Sequence, residues 1–127
     1  MLNANNLRKG EKMGQELKYL TDTEKRAVEE LSSILRKTYG KEIKEIRLFG
    51  SKARGDFEKY SDIDIFVVFD REVDWKFEEE IDVLLYQIEI KYGVFFNLIL
   101  YSSEQLKDSK IQALPLINNI RKEGIAI

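Results

Sequence analysis

The fold is decided by Leu48-Phe49-Gly50-Ser51-Lys52-Ala53-Arg54-Gly55-Asp56-Phe57-Glu58-Lys59-Tyr60-Ser61-Asp62-Ile63-Asp64-Ile65-Phe66-Val67-Val68-Phe69-Asp70. A Gly-Ser pair closes one apolar run, and Asp-Ile-Asp opens another after ten intervening residues. Side chains two apart on a strand share a face, so Asp62 and Asp64 point the same way. Two like charges at the head of an apolar strand need compensation. A divalent cation with oxygen ligands is the simplest source of it. The competing reading makes Asp62 a turn residue and Asp64 an exposed strand end. Gly50 favours the first reading, because a glycine after a strand lets the backbone approach a ligand closely. With Ser51 opening a helical turn, its N–H groups and hydroxyl form a small anion cradle, to which Lys52 or Arg54 adds charge for phosphate. Cradle and carboxylates then leave two adjacent strand ends together, as Mg-nucleoside triphosphate chemistry requires.

Working outward, the chain reads as one α+β (α/β) domain: a small mixed β-sheet of three to four strands packed with helices. Thr21-Asp22-Thr23-Glu24 is a capping box. Behind it Ala27, Val28, Leu31, Ile34, Leu35 and Tyr39 share a helical face, and Gly40 supplies the stop. Ile43–Phe49 is the first strand. The loop over 51–61 carries Lys52, Arg54 and Lys59, and Ser51–Arg54 reads as a short helical turn. Asp62–Phe69 is apolar on both faces after its aspartates, so it belongs in the middle of the sheet. Trp75–Tyr92 reads as a helix with Phe77, Ile81, Leu84, Leu85 and Ile88 inward, and Glu78, Glu79, Glu80 and Asp82 on a solvated face. Val94–Tyr101 is a third strand whose one polar member is Asn97. Ser102 or Ser103 caps the next helical segment. Pro115 stands at the start of the last helix, which ends at Gly124, and Ile125-Ala126-Ile127 adds a short edge strand. Residues 1–20 are polar and read as a mobile arm, leaving 21–127 as the domain.

Composition narrows the chemistry. The chain has 127 residues, 43% of them hydrophobic, which suits a single core. A net charge of −2 argues against an extended nucleic-acid surface. Histidine and cysteine are both absent. Catalysis must therefore rest on carboxylates, basic side chains, hydroxyls or a hard metal ion. No apolar run approaches a membrane span, and the N-terminus lacks the apolar core of a signal peptide, so a cytoplasmic location is expected.

Gly50-Ser51, ten residues, then Asp62-Ile63-Asp64 resembles the signature of the polymerase-β-like nucleotidyltransferases, and most closely that of the minimal nucleotidyltransferase (MNT) domains. The Ala53-Arg54-Gly55 continuation and Ser61 also match, and the element order carries the likeness over Thr21–Tyr101. The resemblance implies that Gly50 and Ser51, with Lys52 and Arg54, bind the triphosphate of ATP, and that Asp62 and Asp64 are catalytic and hold Mg²⁺. In active relatives a third carboxylate comes from the next strand. Here that position falls to Asn97, whose carbonyl oxygen can ligate a metal but which carries no charge and is a poor base. A polar strand residue open to solvent is its other reading. The resemblance further implies the antitoxin of a HEPN–MNT toxin–antitoxin pair. Such an antitoxin transfers AMP to a tyrosine of its HEPN partner, or neutralises that partner by contact. A catalytically weak binding module is the alternative, and a small-molecule nucleotidyltransferase with its site across an oligomer interface is the second alternative.

Overall fold

The computed structural model describes residues 17–58 and 61–127. The capping box forms as expected. Thr21 Oγ1 accepts from the Glu24 N–H at 3.1 Å, and the Glu24 carboxylate accepts from the Thr21 N–H at 2.9 Å. It starts α1 (Asp22–Tyr39), whose Ala27, Val28, Leu31, Leu35 and Tyr39 are buried. Then come β1 (Ile43–Phe49), the single turn α2 (Ser51–Arg54), β2 (Ile63–Phe69), α3 (Trp75–Tyr92) and β3 (Phe96–Ser102). A short helix α4 (Ser109–Gln112), α5 (Pro115–Glu123) and β4 (Ile125–Ala126) complete the order. Pro115 sits in the first turn of α5, where its missing N–H costs nothing. Of Ser102 and Ser103, it is Ser102 whose hydroxyl accepts from the Gln105 N–H, at 3.0 Å, although the N-cap position of that turn is Glu104.

The sheet runs β3-β2-β1-β4. β1 and β2 are antiparallel, β1 and β4 are antiparallel, and β2 and β3 are parallel. The parallel pair needs a crossover, and α3 supplies it. β2 is inside the sheet, which explains its near-continuous apolar sequence.

Strand alternation splits the core in two. Ile63, Ile65, Val67 and Phe69 join Ile46, Leu48, α1 and α3 in the larger cluster. Phe66 and Val68 face the other way and pack with Phe49 and with Ile117 and Ile120 of α5. Burying each such side chain contributes about 1.5–3 kcal/mol. On the larger side Tyr39, Phe69 and Phe77 meet edge to face, with centroids 4.8–5.6 Å apart. Burial pushes the Tyr39 hydroxyl well above its ordinary pKa, and its 2.6 Å hydrogen bond to Glu80 pushes the same way.

The mobile arm expected over 1–20 lies outside the described residues as far as residue 16. Leu17 and Leu20 are buried in the larger cluster, so the packed domain starts ahead of Thr21. Asp62 just precedes β2 instead of opening it, and β3 starts and ends later than the expected Val94–Tyr101.

Candidate active site

The alternation that buries Phe66 and Val68 under α5 puts Asp62 and Asp64 on the same side of β2, nearer its start. Asp62 is exposed and Asp64 half-buried. The register sets Phe49 opposite Asp64 from β1 and Asn97 beside it from β3. Asp64 is thus held between the two neighbouring strands.

Gly50 forms one wall. Its φ of 75° lies in the left-handed region, and a Cβ there would stand 2.2 Å from Asp64 Oδ2. A glycine is required on both counts. It caps α2, whose turn closes with Ala53 and Arg54 N–H groups donating to the Gly50 carbonyl at 3.0 and 3.1 Å. Ser51 therefore opens a helical turn next to the Asp64 carboxylate. Asn97 forms the other wall: its Nδ2 donates to Asp64 Oδ1 at 2.9 Å. That bond orients the carboxylate and leaves the Asn97 carbonyl oxygen as an acceptor.

The two basic candidates are turned elsewhere. Lys52 is buried, its ammonium paired with Glu24 of the capping box and 4.8 Å above the Phe57 ring. It ties α2 to the start of α1 instead of facing outward, because a buried ammonium needs a carboxylate partner. Arg54 is half-exposed, and its guanidinium donates to Asp56 at 3.1 Å and to Glu123 of α5 at 2.8 Å. The Asp56 hydrogen bond, and then that of Glu123, raise its pKa. Glu24 and Glu123 are the parts that sequence reading missed. They lie 28 and 69 residues from their partners, beyond any local signal.

Among the described residues no Lys or Arg pairs with Asp62 or Asp64. No group of three or more His, Cys, Asp or Glu that would hold a metal occurs among them either. Asp64 and the Asn97 carbonyl oxygen are oxygen donors of the kind that suits a hard divalent cation, and Asp62 stands on the same side of β2.

Asp64 thus lies beside the Gly50-Ser51 turn at the neighbouring strand end. The sequence matches the family model described as "Nucleotidyltransferase domain" over residues 28–125, and the chain belongs to that family, as an MNT-type member. A candidate protein adenylyltransferase of Methanocaldococcus jannaschii is 39% identical over 101 residues, which are 80% of this chain and 94% of that protein. A solved toxin–antitoxin structure with AMP-PNP covers 77% of this chain and 70% of its own, at 20% identity and a TM-score of 0.54. That likeness is one of fold. The structure of a candidate nucleotidyltransferase from Sulfolobus solfataricus covers 93% of this chain and 84% of its own, at 22% identity and a TM-score of 0.47. No described helix is long and apolar enough to cross a membrane.

Proposed function

We propose that the protein is a Mg²⁺-dependent nucleotidyltransferase that uses ATP and modifies a protein, as the antitoxin of a HEPN-type toxin. The observation that carries this reading is Asp64, seated between the Gly50 backbone and Asn97. Asp62 and Asp64 would hold the metal, with the Asn97 carbonyl oxygen as a neutral third donor. When bound, the metal would neutralise charge on the triphosphate and on the transferred group. The α2 turn at Gly50 and Ser51 would hold phosphate oxygens through N–H groups and the Ser51 hydroxyl. Lys52 supports this turn from behind through Glu24, and Arg54 fixes its far end to α5. The acceptor hydroxyl oxygen forms a bond to the α-phosphorus as the bond to pyrophosphate breaks. The hydroxyl proton passes to water, because Asn97 has no basic atom. The relative from Methanocaldococcus jannaschii supports a protein acceptor, and the toxin–antitoxin structure with AMP-PNP supports a nucleotide and a toxin partner.

Asn97 favours a second reading, a binding module that neutralises the same partner without transfer. Incubation with α-labelled ATP, Mg²⁺ and a purified HEPN partner separates the two. Label should pass to the partner with wild type and not with the Asp62→Ala/Asp64→Ala variant. Equal transfer by both proteins would overturn the proposal. Neutralisation without transfer would establish the second reading.

A further inference from the structure

Helix α3 is apolar on two opposite sides. Phe77, Ile81, Leu85 and Ile88 are buried in the larger core cluster. Trp75, Val83, Tyr86 and Ile90 are 61–64% exposed. Val83, Tyr86 and Ile90, three and four residues apart, form one stripe along the outer side, and Trp75 lies on its line two turns earlier with the exposed Glu79 between. At that exposure no described residue covers it. Single exposed apolar residues are ordinary, whereas a contiguous stripe marks a contact surface.

Charge says what fits there. Beside the stripe Asp82, Val83, Leu85, Tyr86 and Glu89 line a shallow hollow of about 440 Å³. Leu85 is the buried member, and Asp82 and Glu89 bring the negative charge. Glu89 is held in place by the Phe96 N–H, which donates to it at 2.8 Å. Glu78 and Glu79 are exposed on the same helix. The one basic residue of its last turn, Lys91, is engaged by Glu30 at 2.9 Å. We infer that the outer side of α3 docks an amphipathic helix of a partner protein, apolar along its contact and bordered by Lys or Arg. Such a helix would place apolar side chains on Tyr86 and Ile90, and a basic head between Asp82 and Glu89. A second copy of this chain fits less well. In an antiparallel helix pair like borders meet, so Asp82 and Glu89 would face their own counterparts. The inference goes beyond nucleotidyl transfer and holds whether or not the Asp64 site is active.

Trp75 is the only tryptophan of the chain, and it stands on the same side of α3, two turns ahead of Val83. Its emission in the full-length protein therefore reads occupancy. The probes are a synthetic amphipathic Leu/Lys helix, its Leu/Glu counterpart and a scrambled Leu/Lys peptide. The Leu/Lys helix should move the emission to shorter wavelength in a saturable way, and the other two should not. Tyr86→Asp should weaken binding at least about tenfold. Glu79→Lys/Asp82→Lys, which changes only exposed positions, should reverse the preference towards the Leu/Glu helix and carries the test if Tyr86→Asp does not fold. Failure of the Leu/Lys helix to bind, or equal binding of the scrambled peptide, would overturn the inference. So would a wild-type dimer in sedimentation equilibrium that Tyr86→Asp dissolves, which would assign the stripe to a second copy. Emission that moves to longer wavelength on deletion of residues 1–16 would assign it to the chain's own N-terminal segment.

Discussion

Asp64 shows how little room one carboxylate has. Its Oδ2 faces the Gly50 backbone and its Oδ1 accepts from Asn97. Gly50→Ala puts a Cβ onto the carboxylate at a positive φ, so it should destabilise the fold by about 1–3 kcal/mol in urea unfolding and abolish ATP binding. Asn97→Asp replaces a donor with a third charge. Without metal it should lower the melting temperature, since like carboxylates then crowd one site. With Mg²⁺ the loss should reverse, and label transfer should rise on the order of 10²-fold if a missing base limits the rate. An unchanged rate would mean that Asn97 does not limit transfer. Gly50, Ser51, Asp62 and Asp64 could be singled out from the sequence because each stands at a strand end whose neighbours in the chain mark it. Lys52 was not, because its direction depends on Glu24, an element away.

The start of α1 has two jobs in the element-scale picture: Glu24 caps the helix and neutralises Lys52. Thr21→Ala removes one cap hydrogen bond and should cost about 1 kcal/mol in urea unfolding. Glu24→Gln leaves the buried Lys52 ammonium without its counter-charge and should cost more, about 3 kcal/mol. Lys52→Met in the Glu24→Gln background should recover much of that loss, since an apolar chain needs no partner. Most elements were legible because their end signals are local: the capping box, Gly40 and Pro115. The second apolar side of α3 was not, since the inward pattern of Phe77, Ile81, Leu84, Leu85 and Ile88 leaves Val83, Tyr86 and Ile90 unassigned until their exposure is known.

For the whole molecule, α5 decides where the site lies. It covers Phe66 and Val68 on the face shared with Asp62 and Asp64, and the carboxylates lie nearer the start of the strand than the covered residues. Ile120→Ala opens a void under α5 and should destabilise by about 2–5 kcal/mol. It should also weaken ATP binding through the Arg54–Glu123 tie, whereas a core truncation remote from α5, such as Ile88→Ala, should leave binding unchanged in the folded protein. The central place of β2 follows from its two-sided apolar pattern. The pairing of β4 with β1 and the folding-in of Leu17 and Leu20 depend on contacts across the whole chain. Calorimetric titration of ATP into the full-length protein, with and without Mg²⁺, tests the site most directly. Saturable binding that needs Mg²⁺ and is lost in Asp62→Asn/Asp64→Asn is expected. Binding that ignores both the metal and those substitutions would contradict a metal and triphosphate site on the ends of β1 and β2.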